Sequence, residues 1–152
     1  MTETVYVAPG GRPVGRRHGP FIPPLLLIPF LIYNLLGFTL YGGNPARWSD
    51  HILTLPMVSG QAWSLTSGDL MMVLGLACLF VEVLKSTNTG RNSILEHMLS
   101  TVLFVIFLIE FLLVGACASS TFFLLMVMAI VDVVAGFTIS ITGAGRDVTM
   151  AQ

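Results

Sequence analysis

The amino-acid sequence predicts an all-α integral membrane protein, a four-helix bundle with antiparallel up-down topology. Of its 152 residues, 55% are hydrophobic and only 10% are charged, which is too little polar surface to cover a soluble domain. Four apolar stretches each approach the ~20 residues that a membrane-spanning helix needs. Two of the three connections between these stretches are short, which favours antiparallel neighbouring helices.

The predicted organisation has three parts. Residues 1–19 form an N-terminal arm rich in Gly, Pro and Arg, residues 20–142 form the bundle, and residues 143–152 form a short C-terminal tail. The predicted spans are residues 21–41, 67–85, 94–115 and 120–141, and the predicted outer loop is residues 44–65.

Basic residues near the span ends predict that both termini are cytoplasmic, because Lys and Arg favour that side of a membrane. One side would hold Arg12, Arg16, Arg17, Lys85, Arg91 and Arg146, and the other side would hold Arg47. We expect the arm to contact anionic lipid headgroups through Arg12, Arg16 and Arg17. We expect no nucleic-acid partner, because that function needs a larger basic surface with base-reading residues.

The first span contains prolines and one strongly polar side chain. Pro23 and Pro24 suit the first turn of a helix, where the missing N–H costs nothing, whereas Pro29 lies inside the span and should kink it. Asn34 is the polar side chain. A hydrogen bond to another helix is favoured for it over ligand binding.

The outer loop contains Trp48 and Trp63, which we interpret as interfacial anchors. The residues between them are too apolar for a freely solvated loop. We therefore expect the segment to lie along the membrane surface or to fold over the bundle, as a place for a partner or a lid. Asp50 and His51 are adjacent, but a metal site normally needs three or more ligands, so no metal is expected.

Two acids have predicted roles in starting helices. Thr66 and Asp69 have the spacing of a capping box before the second span, and Ser93 and Glu96 have the same spacing before the third. In such a box the two side chains bond each other's backbone N–H groups. These acids are therefore assigned to local structure.

Glu82 and His97 also receive structural interpretations. Glu82 precedes Lys85 by one helical turn, so an ion pair between them is expected. His97 is the only histidine within or bordering a span, so haem held by two histidines is excluded by count. No cofactor is expected.

Asp132 and Glu110 lie within spans and beyond any cap. A carboxylate at mid-membrane costs ~2.5–3.5 kcal/mol on insertion scales, and no Lys or Arg lies inside a span to compensate. We expect Asp132 to be protonated at neutral pH. Glu110 is the second candidate for a protonated acid. We predict that both form one buried polar cluster with Asn34 on the inward faces of three helices, which either joins helices or binds a proton or cation.

Four runs of residues carry a resemblance across the membrane region: SGQAWSLTSGD, ILEHMLS, STFFLL and DVVAGF. With them, the whole-chain pattern resembles small uncharacterised four-span proteins of the bacterial inner membrane. The resemblance implies a multi-pass protein of that membrane. It implies no activity, so no functional residue follows from it.

Three function classes follow. The first is a non-enzymatic membrane protein, a structural or accessory subunit that assembles with itself or with a larger complex. The alternative is a small proton- or cation-coupled transporter or channel that uses Asp132 and Glu110 as titrating sites. An enzyme is not expected, because the sequence has no nucleophile–base constellation and no phosphate-binding loop.

Overall fold

The computed structural model of this chain describes residues 23–86 and 93–150. This part is mostly helical, with helices α1 (Leu27–Thr39), α2 (Ser67–Ser86), α3 (Ser93–Leu113) and α4 (Ser120–Met150). A short 3-10 turn, Pro45–Ser49, and an antiparallel hairpin of strands β1 (His51–Pro56) and β2 (Ala62–Thr66) lie between α1 and α2. Within the described residues, α2, α3 and α4 are each long and apolar enough to cross a membrane.

These three helices begin within one residue of their predicted starts. α2 and α3 also end within two residues of the predicted positions. The end of each helix follows from the length of its apolar run. α4 differs, because it continues past residue 141 to Met150. Residues 143–150, which we assigned to a C-terminal tail, are therefore helical.

α1 is shorter than predicted. It has 13 residues, which at ~1.5 Å per residue extend ~20 Å, against ~30 Å for the hydrocarbon core of a bilayer. The helix begins at Leu27, so Pro29 lies in its first turn and not in its interior. The predicted kink at Pro29 is wrong, because the N–H groups of a first turn have no partner in the helix.

Small residues allow α4 to pack closely between α2 and α3. Gly75 of α2 faces Met128 of α4, and a Cβ at Gly75 would lie 2.9 Å from the Met128 sulfur. Gly136 of α4 is in the same way covered by the ring of His97 of α3. A side chain at Gly136 would collide with the His97 ring, whereas one at Gly75 would require the ends of the Leu125 and Met128 side chains to move.

An aromatic layer joins α1, α3 and the first turn of α4. We define it as Phe30, Phe107 and Phe122, of which Phe107 and Phe122 are completely buried. The ring centroids of Phe30 and Phe107 are 4.8 Å apart, and those of Phe107 and Phe122 are 5.2 Å apart. Contacts at these distances add to the stabilisation from burial.

Most of the helical surface is apolar and exposed. The buried share of the most apolar stretch is 28% in α2, 22% in α3 and 33% in α4. Helices that are apolar all round and uncovered by protein are typical of a membrane environment. The composition and the exposed apolar faces of the helices therefore both indicate a membrane environment.

The β-hairpin was not predicted. Its apolar residues Ile52, Leu53 and Leu55 do not alternate regularly with polar ones, so the period-2 signal of a strand is missing. Gly60 closes the turn with a φ of +82°, a conformation that glycine adopts without strain. The outer loop is thus a folded element, and every residue of β1 is exposed.

We expect Gly68→Ala to lower the free energy of unfolding by about 1–3 kcal/mol through overpacking. A Cβ at Gly68 would lie 2.9 Å from the carbonyl oxygen of Trp48, a backbone atom that cannot rotate away. Gly115→Ala is the matched control, because a Cβ at Gly115 meets nothing within 4 Å. Denaturant titration in micelles, followed by circular dichroism, measures both; equal stabilities would contradict the prediction.

Candidate functional site

The first polar cluster lies near the hairpin end of the bundle, and we name it the Asn34–Glu110 cluster. The Asn34 side-chain amide donates to Glu110 Oε2 at 2.8 Å and to the carbonyl oxygen of Phe30 at 3.3 Å. The thiol of Cys117 lies 3.8 Å from the same Glu110 oxygen. Burial, and secondly the Glu110 carboxylate, raises the pKa of Cys117 to about 12. The thiol is therefore a donor, and the cluster joins α1, α3 and the turn before α4.

Tyr33 connects α1 to the start of α4 beside this cluster. Its hydroxyl donates to the carbonyl oxygen of Ala116 at 3.1 Å and lies 2.7 Å from Ser119 Oγ. Ser119 Oγ also accepts from the backbone N–H of Phe122 at 3.1 Å, which is the bond of a helix N-cap. One hydroxyl thus both starts α4 and attaches it to α1.

The second cluster lies at the opposite end of the bundle, and we name it the Glu82–Asp132 cluster. Glu82 is only 4% exposed. Its Oε2 accepts from the backbone N–H of Leu25 at 2.6 Å, and its Oε1 lies 2.7 Å from Lys85 Nζ. Lys85 Nζ is also 3.5 Å from Glu96 Oε2. The predicted pairing of Glu82 with Lys85 is present, and Glu82 additionally places a negative charge at the start of α1, where the helix dipole favours it.

Asp132 belongs to this second cluster. It is 5% exposed and its carboxyl group is hydrogen-bonded to the side chain of Ser100, which is 4% exposed. Glu82, His97 and Lys85 are close enough to interact with it electrostatically. Asp132 therefore has a hydroxyl partner on α3 and titratable neighbours near the ends of α2 and α3.

Asp132, Glu110 and Asn34 do not form the single cluster that we predicted. The bonds join Asn34 to Glu110, and they join Asp132 to Ser100. Ser100 and Glu110 are 10 residues apart on α3, or ~15 Å along the helix. The aromatic layer lies between the two clusters along the chain: Phe30 lies between Leu25 and Asn34, Phe107 between Ser100 and Glu110, and Phe122 between Cys117 and Asp132.

The two predicted interfacial anchors differ in the structure. Trp63 is 48% exposed, whereas Trp48 is 2% exposed. The Trp48 ring stacks on Tyr33 at 4.3 Å and meets the edge of Tyr41 at 4.9 Å. The interpretation of Trp48 as an interfacial anchor is corrected, because its ring is buried against the rings of Tyr33 and Tyr41.

Thr66 and Asp69 form the predicted capping box at the start of α2. The N–H of Thr66 donates to Asp69 Oδ2 at 2.8 Å, and the N–H of Asp69 donates to Thr66 Oγ1 at 3.1 Å. These are the reciprocal bonds of the capping box that the spacing predicts. Glu96 contacts Lys85. The capping box predicted for Ser93 and Glu96 stays a prediction, because the Ser93 side chain lies outside the described residues, as do Arg12, Arg16 and Arg17.

Ser100 was missed by sequence reasoning, although a signal was present. Ser100 lies three residues after His97 and four residues after Glu96, the two spacings at which side chains meet on a helix. Within residues 23–86 and 93–150, no group of three or more His, Cys, Asp or Glu side chains is arranged to hold a metal ion. The chemistry that the clusters offer is hydrogen bonding between helices and exchange of a proton.

We expect Glu82→Ala to lower the free energy of unfolding by about 3 kcal/mol, the lower end of the range for breaking a buried ion pair. The change leaves the Leu25 N–H without its acceptor, while Lys85 keeps Glu96. Glu82→Gln should recover part of the loss, because its amide oxygen can still accept.

Asp50→Ala is the matched control for this prediction. The Arg47–Asp50 pair has side chains that are 53% and 58% exposed, and exposed pairs contribute about 0–1 kcal/mol. Both variants are measured by denaturant titration in micelles. A loss for Glu82→Ala no larger than that for Asp50→Ala would contradict the structural role of the buried acid.

The chain was compared with protein families, curated proteins and solved structures. None of those compared matches it. Arguments about its function therefore rest on the two polar clusters, the exposed apolar faces and the hairpin.

Proposed function

We propose that the protein is a non-enzymatic multi-pass membrane protein, a structural or accessory subunit of a membrane assembly. The observation that carries the proposal is the bonding of the acids. Glu82 links α2 to the segment before α1, Glu110 links α3 to α1, and Asp132 links α4 to α3. Each acid joins its own helix to a neighbour, which is the role of a residue that holds a bundle together.

The apolar stretches between the two clusters support the same proposal. α3 between Thr101 and Glu110, and α4 between Thr121 and Asp132, carry only apolar residues. The aromatic layer fills the bundle at that level. A proton or cation moving between the clusters would have to cross this layer without polar partners, which is costly.

The hairpin is the proposed surface for assembly. Residues 52–66 contain no charged side chain. Apolar side chains exposed there are Ile52, Leu53, Leu55, Met57, Val58 and Trp63. Exposed apolar patches mark sites of association, and a two-stranded sheet has outer edges to which another strand can pair. A second copy or another membrane subunit would cover this surface.

The proposed orientation is a bacterial inner membrane with both termini in the cytoplasm. The cationic bias of one side, which includes Lys85 and the arm, supports it. Anionic headgroups would contact the arm. A fourth span is proposed from α1 with its flanks, since Leu25 contacts Glu82 near the end of α2 and Tyr33 contacts Ser119 at the start of α4.

We expect Leu55→Lys to remove the protein from its assembly. Leu55 is 42% exposed and pairs with Trp63 across the hairpin, so a charge there disfavours a covered interface without filling a core position. Gln61→Lys is the matched control, because it adds the same charge to the exposed hairpin turn. Blue native electrophoresis of membranes in mild detergent gives the apparent mass.

The expected result is a wild-type species and a Gln61→Lys species of equal mass, both larger than the monomer, and a monomeric Leu55→Lys protein. Circular dichroism checks that all three are folded. A wild-type protein that is monomeric in its own membrane extract would contradict the proposal.

The second function we propose to test is proton- or cation-coupled transport through Asp132 and Glu110. The burial of Asp132 beside His97 and Glu82 favours it, because an acid near other titratable groups can exchange a proton with them. Within one copy of the chain, the separation of Asp132 from Glu110 argues against a transport path that uses both acids.

Proteoliposomes separate the two functions. We expect proton flux no greater than in protein-free liposomes, for the wild type and for Asp132→Asn alike. We also expect Asp132→Asn to keep the assembly and Asp132→Leu to lose it, because the bond to Ser100 and not the charge joins the helices. A flux that Asp132→Asn abolishes would instead assign transport.

A further inference from the structure

The imidazole of His97 lies between two helices at the end of the bundle opposite the hairpin. Its side chain comes from the second turn of α3 and is 8% exposed. The ring lies so close to Gly136 of α4 that a Cβ at Gly136 would be 2.6 Å from His97 Cε1. The ring of Phe137 is its next neighbour on α4, with centroids 6.2 Å apart. Because Gly136 has no side chain, the imidazole itself forms the contact between α3 and α4 at this level.

Carboxyl groups outnumber basic groups around this ring. On α4, Asp132 lies one turn before the glycine that the ring covers, and it interacts electrostatically with His97. On α2, Glu82 and Lys85 interact with the same Asp132 carboxyl group. On α3, Glu96 directly precedes His97 and contacts Lys85. Among the side chains that the structure describes, the ring therefore faces a cluster of three carboxyl groups and one ammonium group.

The charges of this cluster do not cancel while His97 is neutral. Glu82 and Lys85 compensate each other, since Glu82 Oε1 lies 2.7 Å from Lys85 Nζ. Glu96 is farther from that ammonium group, at 3.5 Å, and the Asp132 carboxyl is bonded to a hydroxyl. The negative charges therefore exceed the positive charge by one if Asp132 is protonated and by two if it is ionised. A proton on His97 reduces this excess in either case.

Two opposing effects act on a charged imidazole at this position. Desolvation disfavours the imidazolium, whereas nearby carboxylates favour it. The cluster is open to water at its outer side, because the side chains of Lys85 and Glu96 are 18% and 17% exposed. Water that reaches these side chains reduces the desolvation cost and supplies the proton. The excess of carboxylates therefore decides the direction of the effect.

We propose that His97 is a pH sensor for the packing of α4 on α3. When the ring takes up a proton from water, the imidazolium is attracted to the acids of the cluster and holds α4 against α3. When the ring releases the proton, the acids repel one another and the contact at Gly136 loosens. The sensor is in equilibrium with water on one side only and moves no proton across the membrane. It is therefore separate from both the proposed assembly and the transport alternative.

Thermal unfolding at different pH values tests the sensor. The full chain in an uncharged detergent is heated at pH values between 5 and 8, the range in which histidine ordinarily titrates, and unfolding is followed by circular dichroism. We expect the Tm to be about 2–4 °C higher at the acidic end. The reason is that a proton held more tightly by the folded chain stabilises it, and this stability is lost as the pH rises.

Two histidine variants separate His97 from the other titrating groups. His97→Gln should remove the rise in Tm, because glutamine takes up no proton. His51→Gln is the matched control and should keep the rise, because His51 is exposed on β1.

Nuclear magnetic resonance tests the sensor without changing His97. The chain has three histidines, so His18→Gln with His51→Gln leaves one imidazole, and the chemical shift of its Cε1 reports that ring alone. We expect the ring to titrate between pH 5 and 8. Replacing two acids of the cluster, Glu96→Gln with Asp132→Asn, should move the midpoint of this titration about one pH unit lower.

Four results would overturn the proposal. The first two are a Tm that stays constant or falls on acidification, and a rise in Tm that His97→Gln retains. The other two are a His97 ring that does not titrate between pH 5 and 8, and a midpoint that the two acid substitutions leave unchanged. None of these results depends on the oligomeric state or on proton flux, so they are distinct from a failure of the functions proposed above.

Discussion

A carboxylate inside an apolar helix bundle has no water to solvate it, so its partners must come from the protein. This constraint explains the contacts of Glu82, Glu110 and Asp132. Each acid is bonded to a group on another part of the chain: a backbone N–H, an amide and a hydroxyl. Because these bonds have strict distances, they align the helices along the bundle as well as joining them.

The short helix α1 depends most on such contacts. At 13 residues it gains little from its own helical bonds. Glu82 accepts a hydrogen bond from the segment before α1, and Phe30 of α1 packs against Phe107. Asn34 bonds to α3, and Tyr33 bonds to the residue before α4. The polar and aromatic contacts alternate along α1, so the same residues that hold the helix also keep the two polar clusters apart.

The hairpin end of the molecule combines a rigid aromatic stack with an exposed, uncharged sheet. Trp48 is covered by Tyr33 and Tyr41, while the hairpin that follows exposes its apolar side chains. The stack anchors the hairpin to α1, and the close approach of Gly68 to the Trp48 carbonyl anchors it to α2. The contacts of Trp48 thus attach the segment before the hairpin to both helices.

The sequence alone determined the membrane class, the starts of α2, α3 and α4, the capping box of Thr66 and the pairing of Glu82 with Lys85. All of these features depend on the length of an apolar run or on pairs of residues three to four positions apart. Such local relations can be read directly from the sequence. The bond between Asp132 and Ser100, the separation of Glu110 from Asp132 and the burial of Trp48 were decided only by the tertiary structure. They depend on the rotation and depth of each helix relative to its neighbours, and those are set by packing between residues far apart in the chain.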